Sequence, residues 1–465
     1  MPKDFRETLY TVDEKGRRRW VYSALVKGFY FYRRQIVAYL LLVFYLIMPW
    51  VSIGGKQGIL LKITERRFVF FGVEFWATDG FLLFLFIGTL AFTLFFFTAL
   101  LGRVWCGWAC PETVFLEFLF RPIERLIEGS PAQRQRLDEA PWSAQKILKK
   151  ILKHASCAFF SWIIASTALA YFIGREPLIA MMSDWPTANP VPFTMTLVLM
   201  GFMAFQFGWF REQFCTVLCP YARFQSVLMD SNSIVVGYDL VRGEPRSKAP
   251  SKKDDQKSGD CVDCGLCVRV CPTGIDIRNG LQLECIACTA CVDACDSIMV
   301  KVGREKGLIR YDTENRLLGK STIRQILRPR PFVYGVILIA FISALSFRLS
   351  TRELTEFQLV RGAVDAPFSV LEDGRVTNHV HARISNRSKE INNYKFRLAS
   401  STEIELIVPL SPFPVGGGET KTCPLFLNFQ RALLESGKKD VEIRIEGEDG
   451  YSSTQTIVLL GPDHD

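Results

Sequence analysis

Eight cysteines are concentrated between residues 261 and 295, in the stretch CVDCGLCVRVCPTGIDIRNGLQLECIACTACVDAC. They form two runs with the same spacing, C-x-x-C-x-x-C-x-x-x-C. A run of this kind presents three thiolates from a tight loop to one 4Fe-4S cluster, and its fourth cysteine binds the other cluster. The pattern therefore predicts two 4Fe-4S clusters, one held by Cys261, Cys264, Cys267 and Cys295 and the other by Cys271, Cys285, Cys288 and Cys291.

Zinc is the alternative, because C-x-x-C pairs also build structural zinc sites. Two identical runs favour iron and sulfur, since a zinc site needs no ligand from the other run. A disulfide framework is not expected, because the charges described below place this segment in the reducing cytoplasm. The runs differ in one respect: Pro272 follows the first, whereas Asp296 follows the second, and a nearby charge can change a cluster's potential.

Four other cysteines occur in two copies of the motif C-x-x-x-C-P, CGWACP at 106–111 and CTVLCP at 215–220. Each copy follows an apolar run and precedes an amphipathic stretch, which indicates an internal duplication. Residues four apart share one face of a helix, so each pair is predicted to direct two sulfurs toward one point. The proline suits a break or the first turn of the next helix.

If the two halves pack about a pseudo-twofold axis, these four sulfurs converge at the inner membrane surface. Soft thiolates there favour Cu(I), an iron centre or an iron–sulfur cluster, so we predict a redox or metal site formed by Cys106, Cys110, Cys215 and Cys219. The alternative is that they are small buried packing residues, but the repeated spacing and proline argue against it. Cys157 and Cys423 stand alone and are assigned no role.

Five apolar runs without internal charge approach the length that a helix needs to cross a hydrocarbon core of ~30 Å. The first is expected to remain as an anchor, because a long polar segment precedes it and no cleavage site of the A-x-A kind follows it. The runs cover residues 36–53, 80–101, 155–173, 191–210 and 331–347.

Lysine and arginine are enriched in alternate segments between these runs. Segments 1–35, 102–154 and 211–330 are rich in them, whereas 174–190 contains a single arginine. Cytoplasmic flanks carry this excess, so these three segments are predicted to lie in the cytoplasm of a bacterial cell, at its inner membrane. The net charge of +9 is explained by contact with anionic membrane lipid, and no nucleic-acid partner is expected.

The last 118 residues contain short alternating runs separated by turn signals such as Asp373-Gly374 and Asp449-Gly450. This pattern of short alternating runs and turns predicts an antiparallel β-sandwich of immunoglobulin type on the outer side of the membrane. His379 and His381 would point to one face of a strand, as a copper-ligand pair or, more commonly, as surface histidines. The domain is expected to dock a partner.

The sequence thus predicts a multidomain membrane protein. It joins an α-helical membrane domain of about five transmembrane helices to an α+β ferredoxin-like domain with two 4Fe-4S clusters and an all-β immunoglobulin-like sandwich. The predicted divisions are a cytoplasmic segment at 1–35, the membrane domain at 36–230, the cytoplasmic ferredoxin domain at 231–330, the fifth transmembrane helix at 331–347 and the periplasmic sandwich at 348–465.

The chain resembles the CcoG/FixG/RdxA family, the membrane-bound polyferredoxin accessory proteins of cbb3-type cytochrome c oxidase assembly. The resemblance covers nearly the whole chain and is carried by the cysteine motifs and by CGWACPETVFLEFLFRPIERLIEG, VVGYDLVRGEPR and KGLIRYDTENRL. It implies reduction of Cu(II) to Cu(I) for the copper site of the oxidase. By matching position it also implies that the eight clustered cysteines are cluster ligands and that the four C-x-x-x-C-P cysteines are copper or terminal redox residues.

The expected function is therefore that of an electron carrier and cupric reductase. A cytoplasmic donor would supply electrons, and oxidase subunits or copper-delivery proteins would be partners. The sequence leaves open whether the protein forms a homodimer. One alternative is an assembly or copper-chaperone module, and another is a quinone-linked carrier, since the motifs also resemble those of membrane ferredoxins of nitrate and nitrous oxide reduction. A transporter is disfavoured, because the apolar runs lack internal charges.

Overall fold

The computed structural model describes residues 18–64, 67–75, 80–185, 187–247, 259–320, 328–351, 354–361, 368–386, 388, 390–399, 403–434 and 437–462. Two compact units are present, residues 1–346 and residues 347–465. The α-helices are α1 (Phe29–Ile47), α2 (Gly80–Leu101), α3 (Val104–Trp108), α4 (Pro111–Phe115), α5 (Arg121–Glu128), α6 (Pro131–Glu139), α7 (Ala144–Ile173), α8 (Arg175–Ser183), α9 (Pro190–Phe205), α10 (Pro220–Leu228), α11 (Leu240–Gly243), α12 (Leu266–Arg269), α13 (Ala290–Lys301), α14 (Glu314–Leu317) and α15 (Pro329–Ser350).

Short π-helical and 3-10 segments extend or connect several of these helices. The π-helical segments are Leu116–Phe120, Gln206–Phe210 and Phe214–Leu218, and the 3-10 turns are Ile277–Asn279 and Arg431–Leu433. π-Bulges are frequent at functional sites, and Phe214–Leu218 contains the first cysteine of the CTVLCP motif.

Five helices among the described residues are long and apolar enough to cross a membrane. They are Phe29–Ile47, Gly80–Leu101, Ala144–Ile173, Pro190–Phe210 and Pro329–Ser350. Large apolar side chains on α15, such as Ile339 at 66 % exposure, face outward, as a lipid-facing helix requires. The chain is therefore a membrane protein.

Two of these helices differ in extent from the apolar runs of the sequence. The run at 36–53 belongs to a helix that starts at Phe29 and ends at Ile47, because Pro49 has no N–H to continue the hydrogen bonds of the helix. The run at 155–173 belongs to α7, which starts at residue 144. The first turns of α7 carry lysines that pair with carboxylates of α5 and α6, so they are helical although they are not apolar.

Short strands fill the connection between α1 and α2, which the sequence left unassigned. They are β1 (Ser52–Ile53), β2 (Lys56–Gln57), β3 (Ile59–Lys62), β4 (Arg67–Phe70) and β5 (Val73–Phe75). β1 pairs with β2, and β3, β4 and β5 form an antiparallel sheet in that order.

The cysteine-rich region folds around a two-stranded antiparallel sheet of β6 (Ile234–Tyr238) and β7 (Ile309–Thr313). Its core contains Val236, Ile275, Val292 and Leu308 together with most of the clustered cysteines. Asp293 on α13 accepts hydrogen bonds from the N–H groups of Tyr30 (3.1 Å) and Phe31 (2.7 Å). The ferredoxin-like region therefore holds the first turn of the first membrane helix, satisfying two N–H groups that a helix start leaves unpaired.

Residues 347–465 form a sandwich of two antiparallel sheets. One sheet has the order β12-β14-β10-β8, with β9 also paired to β10, and the other has the order β13-β11-β15-β16. The strands are β8 (Thr355–Arg361), β9 (Ser369–Val370), β10 (Arg375–Asn386), β11 (Asn392–Leu398), β12 (Ile404–Ile407), β13 (Phe413–Val415), β14 (Thr420–Gln430), β15 (Lys438–Gly447) and β16 (Ser452–Leu460).

Alternate residues of β10 are buried between these sheets, and the predicted immunoglobulin-like sandwich is confirmed. The alternating runs of the sequence leave out β8 and β13, and Pro414 accounts for the second omission because it disfavours a strand. β13 is an edge strand, where a missing N–H is tolerated.

Candidate functional site

The first predicted set of cluster ligands surrounds one cavity. Three of its cysteines come from the loop before and within α12, and the fourth comes from α13, 28 residues beyond Cys267. The cavity is lined by Cys261, Cys264, Cys267 and Cys295, with Tyr238, Arg278 and Leu308 among the other lining residues.

The second predicted set surrounds a neighbouring cavity. Cys271 reaches it from the first run, and apolar side chains such as Val236, Ile275 and Ile286 complete the wall. The other three cysteines of this set are Cys285, Cys288 and Cys291. The structure therefore places Cys271 with the second set and Cys295 with the first, as the crossed pattern predicts, and Cys267 borders both cavities.

In both cysteine loops, the residues just before and just after the central cysteine have left-handed backbone geometry. Asp263 (φ 49°) and Gly265 (φ 65°) flank Cys264. Ala287 (φ 53°) and Thr289 (φ 59°) flank the equivalent Cys288. A left-handed residue other than glycine costs about 1–3 kcal/mol, and here it turns successive thiols toward one cavity. Strain of this kind, repeated at equivalent positions, fits a loop shaped to hold a ligand.

The chemistry of the thiols also fits iron–sulfur clusters. Burial raises the pKa of Cys267 to about 11 and the pKa values of Cys285 and Cys295 to about 12. Thiols in such surroundings become thiolates when a metal supplies the compensating positive charge. No three His, Cys, Asp or Glu side chains within the described ranges are placed to hold a single metal ion.

The C-x-x-x-C-P cysteines lie at two similar helix junctions. Cys106 is in α3 and Cys110 precedes α4 in extended conformation (φ −61°, ψ 127°). Cys215 is in the π-helical segment Phe214–Leu218, and Cys219 precedes α10 with φ −62° and ψ 111°. Neither pair therefore lies on one continuous helix, and each proline begins the next helix, as its position in the motif predicts. The proline after the second cysteine occupies the first turn of the next helix and forces the preceding cysteine out of helical geometry.

These junctions nevertheless bring the four thiols near one another, and we call them the membrane quartet. Burial, with the neighbouring Cys110 and Cys219, raises the pKa of Cys106 to about 12. Burial and nearby acidic groups also raise the pKa of Cys215 well above its usual value. The Cys106 thiol donates to Oε1 of Gln225 at 3.3 Å. Thiolate sulfur is a ligand that copper and iron accept, but no three of these thiols are already placed around one point.

A buried carboxyl, Glu112, accompanies the membrane quartet, and sequence reasoning missed it. Burial raises the pKa of Glu112 to about 7, and its Oε1 is buried without a hydrogen-bond partner. Its position directly after the CGWACP motif is the signal that could have identified it.

The membrane quartet packs against the second cysteine set. Cys106 and Cys215 share an apolar cluster with Cys288 and Ile286. A Cβ atom on Gly107 would lie 2.6 Å from the carbonyl oxygen of Ile286 and 2.8 Å from that of Ala287. Only glycine allows this approach of two backbones.

Side-chain hydrogen bonds hold the same contact together. Nε of Arg34, on α1, donates to the carbonyl of Gly107 at 2.9 Å, and its Nη1 donates to the carbonyl of Cys288 at 2.6 Å. Nε1 of Trp108 donates to the hydroxyl of Tyr311 at 2.9 Å, and that hydroxyl donates to the carbonyl of Ala287 at 3.0 Å. No cysteine of the first set belongs to that apolar cluster, and Cys264 of the first set is exposed.

A buried ion network supports the second C-x-x-x-C-P junction. Burial alone would raise the pKa of Glu124, but Arg211, Lys153 and Arg134 outweigh it, and the pKa of Glu124 lies well below its usual range. Arg121 is 1 % exposed and donates to the carbonyl of Pro272 at 3.1 Å. The network therefore joins α5, α7 and the residues before Cys215 to the ferredoxin-like region.

In the second unit, the rings of His379 and His381 lie on one strand face with centroids 4.5 Å apart. His379 stacks on Phe426 at 4.7 Å, which accounts for its position as a packing residue.

Family models match most of the chain. Residues 210–314 match a 4Fe-4S dicluster domain, residues 79–129 match a 4Fe-4S binding domain, and residues 345–462 match the Ig-like fold at the C-terminus of FixG. The second of these ranges contains Cys106 and Cys110. Iron–sulfur binding is thus a property of this chain.

Curated relatives match along most of their lengths. The chain is 35 % identical over 411 residues to the nitrogen fixation protein FixG of Rhizobium meliloti, covering 80 % of this chain and 78 % of that protein. It is 36 % identical to protein RdxA of Cereibacter sphaeroides, covering 76 % of each, and 32 % identical to RdxB of the same organism, covering 87 % and 88 %. A crystal structure of a FixG-related protein from Vibrio parahaemolyticus covers 23 % of this chain and 97 % of its own, at 12 % identity and a TM-score of 0.21.

Proposed function

Because the chain belongs to the FixG family of membrane-bound iron–sulfur electron-transfer proteins, we propose that it reduces Cu(II) to Cu(I) at the membrane quartet. Copper is the substrate, and each ion takes up one electron. When bound, the 4Fe-4S clusters supply one-electron carriers. The Cu(I) produced serves the maturation of the copper site of a cbb3-type oxidase.

The observation that carries this proposal is the contact of the CGWACP loop with the loop of the second cysteine set at Gly107. Electrons enter at the exposed Cys264 side from a cytoplasmic one-electron donor and leave through the second set, which lies beside Cys106 and Cys215. Thiolates favour Cu(I) over Cu(II). A quartet of sulfurs therefore raises the copper potential and favours the reduction.

We further propose that the ferredoxin-like region lies in the cytoplasm and the sandwich in the periplasm of a bacterium, with the inner membrane between them. The distribution of lysine and arginine supports this orientation. A reporter enzyme that folds only outside the cytoplasm, fused after residue 462, should be active. A fusion at residue 320 should be inactive, and the reverse result would invert the topology.

In this proposal the sandwich docks the partners, either oxidase subunits or copper-delivery proteins. Exposed residues alternate with less exposed ones along β15 and β16, which leaves the outer face of that sheet accessible to a partner. Deletion of residues 351–465 should leave copper reduction intact and impair oxidase maturation. If the deletion abolishes copper reduction as well as oxidase maturation, the sandwich is not a separate docking domain.

The decisive test uses full-length protein purified without oxygen and reduced with dithionite. Cu(II) is added in the presence of a Cu(I)-specific chelator, and the clusters are followed by EPR. The double variant Cys215→Ser and Cys219→Ser should lose Cu(I) formation while both clusters of the ferredoxin-like region stay visible. Cys157→Ser is the control, because Cys157 lies outside the three cysteine sets. Unchanged copper reduction in the double variant would refute the site.

A second candidate, a quinone-linked carrier, is favoured by a separate cavity at the cytoplasmic end of α2. Arg103, Met229 and Leu283 line it together with Cys285 of the second set. A small apolar redox molecule placed there would contact a predicted cluster ligand. Reduction of the clusters by quinol alone, prevented by Leu283→Trp, would favour this function over copper reduction.

A further inference from the structure

Two arginines of the membrane domain are buried against the second cysteine set. Arg34 is 5 % exposed and donates to the carbonyls of Gly107 and Cys288. Arg103 is 7 % exposed and donates to the carbonyls of Leu283, Ala222 and Cys285, the last at 3.4 Å. Both guanidinium groups therefore contact the backbone that carries predicted cluster ligands.

Neither arginine forms an ion pair with a carboxylate of a described residue. Arg34 also has a buried Nη2 without a hydrogen-bond partner. A buried cation is unfavourable unless an anion compensates it. Four thiolates around a 4Fe-4S cluster carry a net negative charge, and this charge grows by one unit on reduction. The second set is therefore the anion that these arginines face.

The first cysteine set has different electrostatic surroundings. Arg278, a cation that lines its cavity, is paired with Asp276 at 2.7 Å and with Asp263 at 2.5 Å. A further carboxylate, Asp296, directly follows the ligand Cys295. An added electron at the first set therefore faces carboxylates and a cation that is already neutralised.

The other charged groups near the second set do not reverse this difference. Arg121 donates to the carbonyl of Pro272, but it is paired with Glu117 and Glu212. Glu117 is the acidic group that acts on Cys288, and its charge is offset by that pair. Arg34 and Arg103 therefore remain as the uncompensated charges.

We propose that Arg34 and Arg103 hold the reduction potential at the second cysteine set above that at the first set, and so direct electrons toward the membrane quartet. This inference rests on the proposed electron path and adds its direction. One electron moves from the exposed set to the set beside the quartet, and no bond changes and no proton moves. The arginines are positioning residues, because they act through the charge of the ligands.

The test is a redox titration of the full-length protein, purified without oxygen and followed by EPR. The wild-type protein should show two midpoint potentials. Arg34→Gln and Arg103→Gln should each lower the higher potential by about 59 mV. For a one-electron couple this is a change of about tenfold, in favour of the first set, in the equilibrium constant for the electron between the two sets. Arg34→Lys and Arg103→Lys keep the charge and should largely restore the higher potential.

Arg278→Gln is the matched control, because Arg278 faces the first set, and it should affect the lower potential. Unchanged potentials in Arg34→Gln and Arg103→Gln, or a shift of the lower potential in these two variants while the higher potential stays unchanged, would overturn the inference. If Arg34→Gln fails to assemble its clusters, Arg103→Gln and the two lysine variants still decide the question. Potentials are read without copper, so this test fails or succeeds independently of the proposed cupric reductase activity.

Discussion

Replacing Gly107 by alanine tests whether the contact between the membrane quartet and the second cysteine set matters. The new Cβ would lie 2.6 Å from the carbonyl oxygen of Ile286, whereas ordinary contact begins at 3.4 Å, so the loops must separate by about 0.8 Å. The neighbouring atoms are backbone atoms and cannot rotate away. Overpacking of this kind costs about 1–3 kcal/mol.

The separation should also weaken the hydrogen bond from Arg34 to the carbonyl of Gly107. We expect slower copper reduction with both clusters of the ferredoxin-like region still assembled, and a free energy of unfolding lower by about 1–3 kcal/mol. Rates are measured with the Cu(I) chelator, cluster content by EPR and stability by denaturant titration in detergent.

Gly201→Ala is the matched control, because Gly201 is also helical and nothing lies within 4 Å of its added Cβ. Alanine there should be neutral or slightly stabilising, since it favours a helix over glycine by up to about 1 kcal/mol. If Gly107→Ala matches Gly201→Ala in rate and stability, the reasoning from backbone contact is refuted.

Two further predictions concern contacts that position the cysteine sets: the hydrogen bonds of Asp293 to the start of α1 and the ion pairs of Glu124. Asp293→Ala should lower the free energy of unfolding by about 1 kcal/mol, because the first N–H groups of α1 lose their acceptor. Denaturant titration measures this change, and an unchanged midpoint would show that Asp293 does not stabilise the start of α1. Glu124→Gln should cost about 3–5 kcal/mol, because it leaves Arg211 and Arg134 buried beside a neutral group. Since the folded-state pKa of Glu124 is lowered, its contribution is fully present above the unfolded pKa of about 4.3 and is lost as pH falls below it. The variant should therefore show a flatter dependence of stability on pH in acid, and an unchanged slope would argue against the network.

Much of the cysteine-rich region could be predicted because its signals are local. Three cysteines within seven residues can meet one cluster whatever the rest of the chain does, and the fourth ligand follows from the crossed pattern. The length of α2 was also predictable, since its apolar run contains no charge. The start of α7 was not, because the lysines of its first turns are accommodated by Glu124, Glu128 and Asp138, which lie on other helices.

The sequence by itself determined the grouping of the sulfurs, the membrane-spanning runs and the alternating strands of the sandwich, because each depends on spacing within a short segment. Only the tertiary structure decided which cysteine set adjoins the membrane quartet and which arginines face it. The hydrogen bond from Arg34 to Cys288 joins residues 254 positions apart, and no local pattern encodes a contact of that range. Such contacts arise when separately formed elements pack, and their energy depends on burial and charge that exist only in the folded chain.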